Sequence, residues 1–566
     1  MHPVFALADV FNLVLEQLFV LDGKAHETAS GWTPPMYLGS IAAVAQSCKT
    51  LKEPALDCLW RTQETFENLL RLLPADACEW SAHLHTSPLQ FDPIRRAPRC
   101  GELYPHRIVR EVSVDEWTKV KEYSRRIRHM NLFSDSALPH RSILEAVWRL
   151  ISVTGEPLFP RLLNLNYRSA YGAVQPYEEV LFVPTLHTLS VDLGTSTPPS
   201  ALLASAINFA SLESLELCSP APSLRADAFV RWTTSSTPEL SSIIKHLSRI
   251  QHLSIPTLDT DALLHLSCLR NLRSLTLETH APIEIPEQLP FPALEQLLFY
   301  STVIEFAARF AKMLEPGRKI DEFGVYTDVA AQNTVVADLY ASVGRNFSPR
   351  TLEKLRIGSP PWDYVDPPPS PAAPASDLYQ YIVDGTALVP LLVLTNLAEL
   401  VLEPAAGFDL DDAMANAIAT ALPNLTKLRL SSAVPLLRLH FQSPRLTLAS
   451  LPVLVKGCPK LMSLSLELDA TTTPSVPEST TPHPLAVSLD VGYSPIRQLE
   501  DVAGFLFAVF LRIDKFSATG QWEGDDTARR YFKRWNKAVE IFHDMAREAE
   551  RPRYMSVGLS DTDEEV

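Results

Sequence analysis

Reactive side chains are plentiful in this sequence, but the spacings that would let them work together are missing. His26-Glu27 opens like the H-E-x-x-H helix that sets two imidazoles one turn apart on a zinc ion, yet position 30 is Ser, so the second ligand is absent. Gly558-Leu559-Ser560 lacks the closing glycine of a nucleophile elbow. Neither G-x-G-x-x-G nor G-x-x-x-x-G-K-[ST] occurs, and 19 glycines in 566 residues leave little for phosphate-cradling loops. His83, His85 and His106, with Cys100 nearby, follow no regular ligand spacing and are expected as solvated loop residues. The acidic pairs Asp411-Asp412 and Asp525-Asp526 are expected as helix-start or loop charges. A hydrolase on an α/β scaffold would need a nucleophile, a base and an acid clustered in one pocket. The spacing predicts no catalytic residue, no metal and no cofactor, and points to recognition rather than turnover.

The composition sets the frame for such a role. Hydrophobic residues are 46% and charged residues 20%, enough apolar material for a large core. Fifty basic against 66 acidic residues leave a net charge of −16, which disfavours nucleic acid and anionic membrane as partners. The seven cysteines are odd in number and contain no C-x-x-C pair, as expected of free thiols in a reducing compartment. Asp9 and Glu16 interrupt the apolar N-terminus and no basic stretch precedes it, which does not fit a secretory signal. The longest clean apolar run, residues 502–511, is far short of a bilayer span. The expected location is cytoplasmic, nuclear or both.

The elements that must position any binding residue come from a repeat. An apolar-x-x-apolar-x-apolar hexad starts at residues 127, 162, 186, 212, 250, 272, 294, 320, 352, 397, 425 and 461, as in LESLEL at 212 and LRSLTL at 272. Successive starts lie 22 to 45 residues apart; the short gaps match leucine-rich repeats of about 20–29 residues and the long ones hold insertions. Each hexad ends in a period-two pattern, so it predicts a strand with its apolar residues on one face. Helical connectors are expected at residues 200–210, 259–269, 303–313, 328–343 and 409–421. Pro160, Pro184, Pro292, Pro423 and Pro459 stand just before strands, where proline ends a preceding helix. Strand, connector helix and parallel strand make an α/β solenoid whose stacked units bury one continuous apolar layer. In a right-handed solenoid the x positions face a concave binding surface. That assigns Asp192, Glu216 and Glu278, then Lys354, Arg356, Lys427 and Arg429, to substrate contact, with an acidic end and a mixed-basic end. Ordinary solvated strand charges would look the same.

Residues 359–376 and 470–484 are proline-rich and are expected as insertions that continue neither sheet nor helix. A helix at 527–551, with Tyr531, Trp535, Val539 and Phe542 on one face, is expected to cap the last strand within a capping segment 516–552. Residues 553–566 read as a disordered acidic tail. The solenoid is thus bounded at 125–515, preceded by a helical or loop linker at 63–124.

Residues 1–62 carry three short amphipathic helices. Phe11, Val14, Leu15 and Leu18 form one apolar stripe, Ile41, Val44, Ala45 and Cys48 a second, and a third helix starts at Pro54 and contains Leu56, Leu59 and Trp60. So small a segment cannot bury a core of its own, and its faces need a partner or the solenoid end. The helix ALADVFNLVLEQL and the later QSCKTLKEPALDCLW resemble the opening and close of the F-box. The EPALDCLWR ending, the RRIRHMNL segment and the tryptophan-bearing C-terminal helix are similar to the F-box-like leucine-rich proteins abundant in mushroom-forming fungi. Ala6-Leu7 stands where that family has Leu-Pro, and residues 22–35 insert a polar loop. The resemblance implies an F-box docked on a Skp-type adaptor, hence on a cullin and RING ligase, with the repeats selecting a protein substrate for ubiquitin transfer. It further implies adaptor contacts at Val10, Leu13, Val14, Leu18, Val44, Cys48, Leu51, Leu56 and Trp60, none of which does chemistry. The alternative is a leucine-rich-repeat scaffold outside any ligase, whose N-terminal helices only cap the solenoid.

Overall fold

A computed structural model describes residues 38–47, 49–81, 104–132, 141–167, 181–192, 210–218, 226–278, 288–300, 303–327, 330–358, 379–433, 444–475, 481–518 and 526–555. The chain divides into two units, Met1–Asn271 and Leu272–Val566.

In the first unit two helices, Leu38–Ser47 and Lys49–Trp60, lead directly into β1 (Thr62–Gln63). An antiparallel ribbon of β2 (Cys78–Ser81) and β3 (Tyr104–Ile108) follows. Then come β4 (His129–Leu132), β5 (Asn164–Tyr167), β6 (Thr188–Asp192), β7 (Ser214–Cys218) and β8 (His252–Ile255). β1 pairs with β4, and each later strand pairs with the next, always in parallel. The strand array therefore begins at β1 and not at residue 125, and the expected linker 63–124 starts on the last residue of β1 and holds the ribbon and the helices Glu67–Leu70 and Trp117–Ser124.

The second unit continues the device with β9 (Ser274–Leu277), β10 (Gln296–Tyr300), β11 (Glu322–Tyr326) and β12 (Lys354–Gly358). A small parallel pair, β13 (Val383–Asp384) and β15 (Phe408–Asp409), flanks β14 (Glu399–Leu402) in the chain. β16 (Lys427–Leu430), β17 (Ser463–Leu466), β18 (Val487–Asp490) and β19 (Ile513–Ser517) complete the ladder. One hexad position stays aligned from strand to strand: Leu275 opposes Leu297, then Phe323, Leu355, Leu400, Leu428, Leu464 and Leu489. All three apolar positions of all twelve predicted hexads are buried, none more than 4% exposed. The reason is geometric: at period two, one face of each strand meets the connector layer while the other stays polar.

The connectors fall close to expectation. Thr260–Ser267, Ile304–Met313 and Asp412–Ala421 are helices, capped in the first and last cases by Asp259 and Asp411 accepting from the third amide beyond them. Asp411 is thus a helix-start charge, as its type and place suggest. The helix expected at 328–343 runs instead from Asn333 to Asn346, and most of 200–210 lies outside the described residues. Phe306 and Phe310 of one connector pack edge-on against Phe299 of β10, joining the helix layer to the strand layer.

Two expectations about the later chain need correction. Ala470 and His483, at the ends of the proline-rich stretch 470–484, form parallel bridges to Ile496 and Phe510. His483 is buried, its amide donates to Val509 O and its Nε2 lies 2.7 Å from Leu461 O. Proline limits backbone donors but does not prevent isolated bridges on either side of it. The stretch 359–376 lies outside the described residues. The C-terminal helix spans Asp526–Met555, so it passes the expected end at 552 and takes in the first residues of the expected tail. Its Trp535, Val539 and Phe542 are buried, Trp535 Nε1 donates to Ser494 O at 2.9 Å, and the helix packs on Leu499–Val509.

Candidate binding surfaces

The x positions of the second unit form an ion-paired face rather than separate acidic and basic ends. Arg356 of β12 reaches Glu322 of β11 at 3.0 Å and Glu399 of β14 at 2.7 Å, using different nitrogens for each. The parallel register sets Lys354 directly between Glu322 and Glu399, and Arg356, two residues further along β12 on the same face, reaches back diagonally to both carboxylates. Burial opposes the Arg356 charge, but the bonds to Glu399 and Tyr326 outweigh it and hold the guanidinium pKa above its usual value. Lys354 lies 3.8 Å from Glu322. Arg429 pairs with Glu403 at 2.7 Å, and Ser431 Oγ donates to the same carboxylate. Lys427 is half-buried and stands in register with Glu399. The predicted mixed-basic end is therefore largely neutralised by carboxylates from neighbouring strands, which residue types alone do not reveal.

Beside the arginine, Tyr300 and Tyr326 stack at 4.7 Å with an angle of 19°. Gly324 lies beneath this stack. A Cβ there would come within 2.8 Å of Leu298 Cδ2 and 3.1 Å of Tyr326 Cε2, so those side chains close over the glycine. Burial pushes the Tyr300 hydroxyl up to about 12, helped by Tyr326, Glu278 and Glu322 nearby. The stacked tyrosines escaped the sequence reading because they sit one position past the hexad.

In the first unit, Glu216 of β7 accepts a 2.6 Å bond from Ser190 Oγ of β6. Asp192 ends β6 opposite Cys218 of β7. Glu278, just past β9 in the second unit, is half-buried.

The predicted adaptor residues are only partly in view. Val10, Leu13, Val14, Leu18 and Cys48 lie outside the described residues. Val44 and Leu51 pack partly buried around Ile41 and Ala55, which hold the two N-terminal helices together. Leu56 and Trp60 are half-buried. The Trp60 ring meets Tyr123 at 4.7 Å, and Arg126 forms ion pairs with Glu53 and Asp57, one turn apart on the same helix. The amides of Arg128 and His129 both donate to Arg61 O, tying the end of this helix to β4.

A cleft of about 650 Å³ opens between residues 108–114 and the helix Arg141–Thr154. Val109, Val114 and Val153 line it and are 49%, 45% and 74% exposed. Both arginines that line it are engaged internally, Arg110 with Asp76 and Glu116, Arg149 with Glu145. Its hydroxyls are too, since Ser142 Oγ accepts from the Ile108 amide and Ser113 Oγ donates to Glu116. Among the described residues no three His, Cys, Asp or Glu side chains gather closely enough to hold a metal, and no helix is long and apolar enough to cross a membrane. His83, His85 and Cys100 lie outside the described residues.

No family model matches the sequence, and no curated protein matches it. Among solved structures the chain is similar to one in the crystal structure of the Rad7 and Elc1 complex in yeast. The match covers 86% of this chain and 94% of that one at 13% identity, with a TM-score of 0.28. So low a score carries no argument about function, and the arrangement described above stands on its own hydrogen bonds.

Proposed function

We propose that this protein is a binding receptor and not an enzyme: its strand face holds a protein substrate, and its N-terminal helices dock on a Skp-type adaptor of a cullin-based ubiquitin ligase. The observation that supports this best is the fate of the F-box-like close. It folds mainly as the helix Lys49–Trp60, which packs on Leu38–Ser47 and enters β1 without a loop, leaving Leu56 and Trp60 half-exposed beside the repeats. A partner held there would stand in fixed relation to whatever the strands of the first unit hold. Cytoplasmic or nuclear residence follows from such partners and is part of the proposal.

The second reading, a repeat scaffold whose helices only cap the array, draws on Trp60 against Tyr123 and Arg126 against Glu53 and Asp57, contacts that an end cap would make equally well. Co-expression of the full chain with a Skp-type adaptor separates them. The receptor reading expects a stable complex on size exclusion; elution of the two proteins apart at micromolar concentration favours the cap.

A further inference from the structure

We infer that the strand face from β9 to β14 docks an extended, Lys/Arg-bearing segment of a partner protein. The inference rests on the reading of that face as the substrate-binding face, and not on adaptor docking.

Three successive repeats place an acid at the same point, just before the strand: Glu295, Asp321 and Glu353. Neighbouring strands are about 4.8 Å apart, so the row spans roughly 10 Å, the length of three residues of extended chain. Asp321 and Glu353 have no cationic partner among the described residues, and Glu295 has only a loose contact with Arg273 at 3.9 Å. Burial and then the two flanking carboxylates raise the Asp321 pKa, which means that the row repels itself. In the middle of the face Glu322 and Glu399 are matched by Arg356, so the unmatched charge lies in the entry row.

A second feature lies at the other end of the same strands, about 16 Å away at the usual rise per residue. There the half-buried Tyr300, held in place by its stack on the buried Tyr326, offers an aromatic ring on which a guanidinium or a lysine stem can lie. An aromatic anchor at one end and a row of unmatched carboxylates at the other fit a basic extended segment running along the strands. The same sign of charge repels nucleic acid and anionic lipid.

Fluorescence anisotropy with the full chain and a labelled Arg/Gly-alternating peptide tests this, with a Glu/Gly peptide as the opposite charge. The basic peptide should bind with steep salt dependence and the acidic one should not. Asp321→Lys with Glu353→Lys should weaken binding about tenfold or more, and Tyr300→Ala several-fold, as loss of a charge match and of an anchor do. Glu540→Lys with Glu548→Lys, an equal change of net charge on the C-terminal helix, should leave it within about twofold. Equal weakening by that control, or no preference for the basic peptide, overturns the inference. Adaptor binding measured on the same variants keeps the proposals apart. Lost peptide binding with adaptor retained falls on this inference alone, and peptide binding without any adaptor falls on the ligase reading alone.

Discussion

Leu275 and Leu428 hold the same place in their hexads and are both fully buried, Leu275 opposed by Leu297 and Leu428 by Leu400 and Leu464. Truncating either to alanine leaves a cavity in the buried apolar layer, and the expected cost is about 2–5 kcal/mol in urea unfolding. A loss below half a kcal/mol would mean that the apolar layer is not where the stability lies. Glu64, just past β1, carries a different signal: burial pushes its pKa up to about 7. A carboxyl with a raised folded-state pKa favours the folded state when protonated. Its contribution is complete below the unfolded-state value and is lost as the pH rises through about 7. Stability of the first unit should therefore fall between weakly acidic and neutral pH, and Glu64→Gln should flatten that slope in urea titrations at several pH values. An unchanged slope in the variant would assign the effect elsewhere. The arginines show where residue reading stops. Arg356 could be found as a charge at an x position, but its neutralisation by Glu322 and Glu399 depends on which strands become neighbours.

At the scale of elements, the hexad found every strand whose three apolar positions are filled and missed those that break the pattern. In register with its neighbours β18 has only Ala486 at the first apolar position, the pairing of β19 slips at Val487/Ser488, and β1 consists of Thr62 and Gln63. Each is still a strand because parallel pairing to a formed neighbour supplies its hydrogen bonds, a tertiary cause that no local pattern records. The ribbon of β2 and β3 was invisible for the same reason. The capping helix, in contrast, was legible, since Trp535, Val539 and Phe542 recur at helical spacing and do become the buried face. Trp535→Ala should cost about 3–5 kcal/mol by removing a buried indole. Because Trp535 also meets Ser494 O and Phe516, amide exchange should rise mainly in β18 and β19 while β9 to β12 keep their protection. Uniform acceleration through the second unit would instead make the cap integral to the whole ladder.

At the scale of the whole molecule, the design is a series of equivalent strands that present changeable side chains on a fixed frame. The N-terminal helices belong physically to the first unit, since one of them enters β1 directly and Arg126 and Tyr123 grip its side. Their role rests on which of their residues stay available. Val44 and Leu51 are spent partly on holding the helix pair together, whereas Leu56 lies outside that cluster and is half-exposed. The most direct test is therefore adaptor co-purification with Leu56→Glu beside the unaltered chain, with thermal unfolding measured on both. The receptor account predicts that the unaltered chain retains a Skp-type adaptor, that Leu56→Glu loses it, and that the two melt within about a degree or two, as a partly exposed interface residue contributes little to folding. An unaltered chain that recovers no adaptor, together with a variant that melts as early as Leu275→Ala, would contradict it and leave these helices as the end cap of the array.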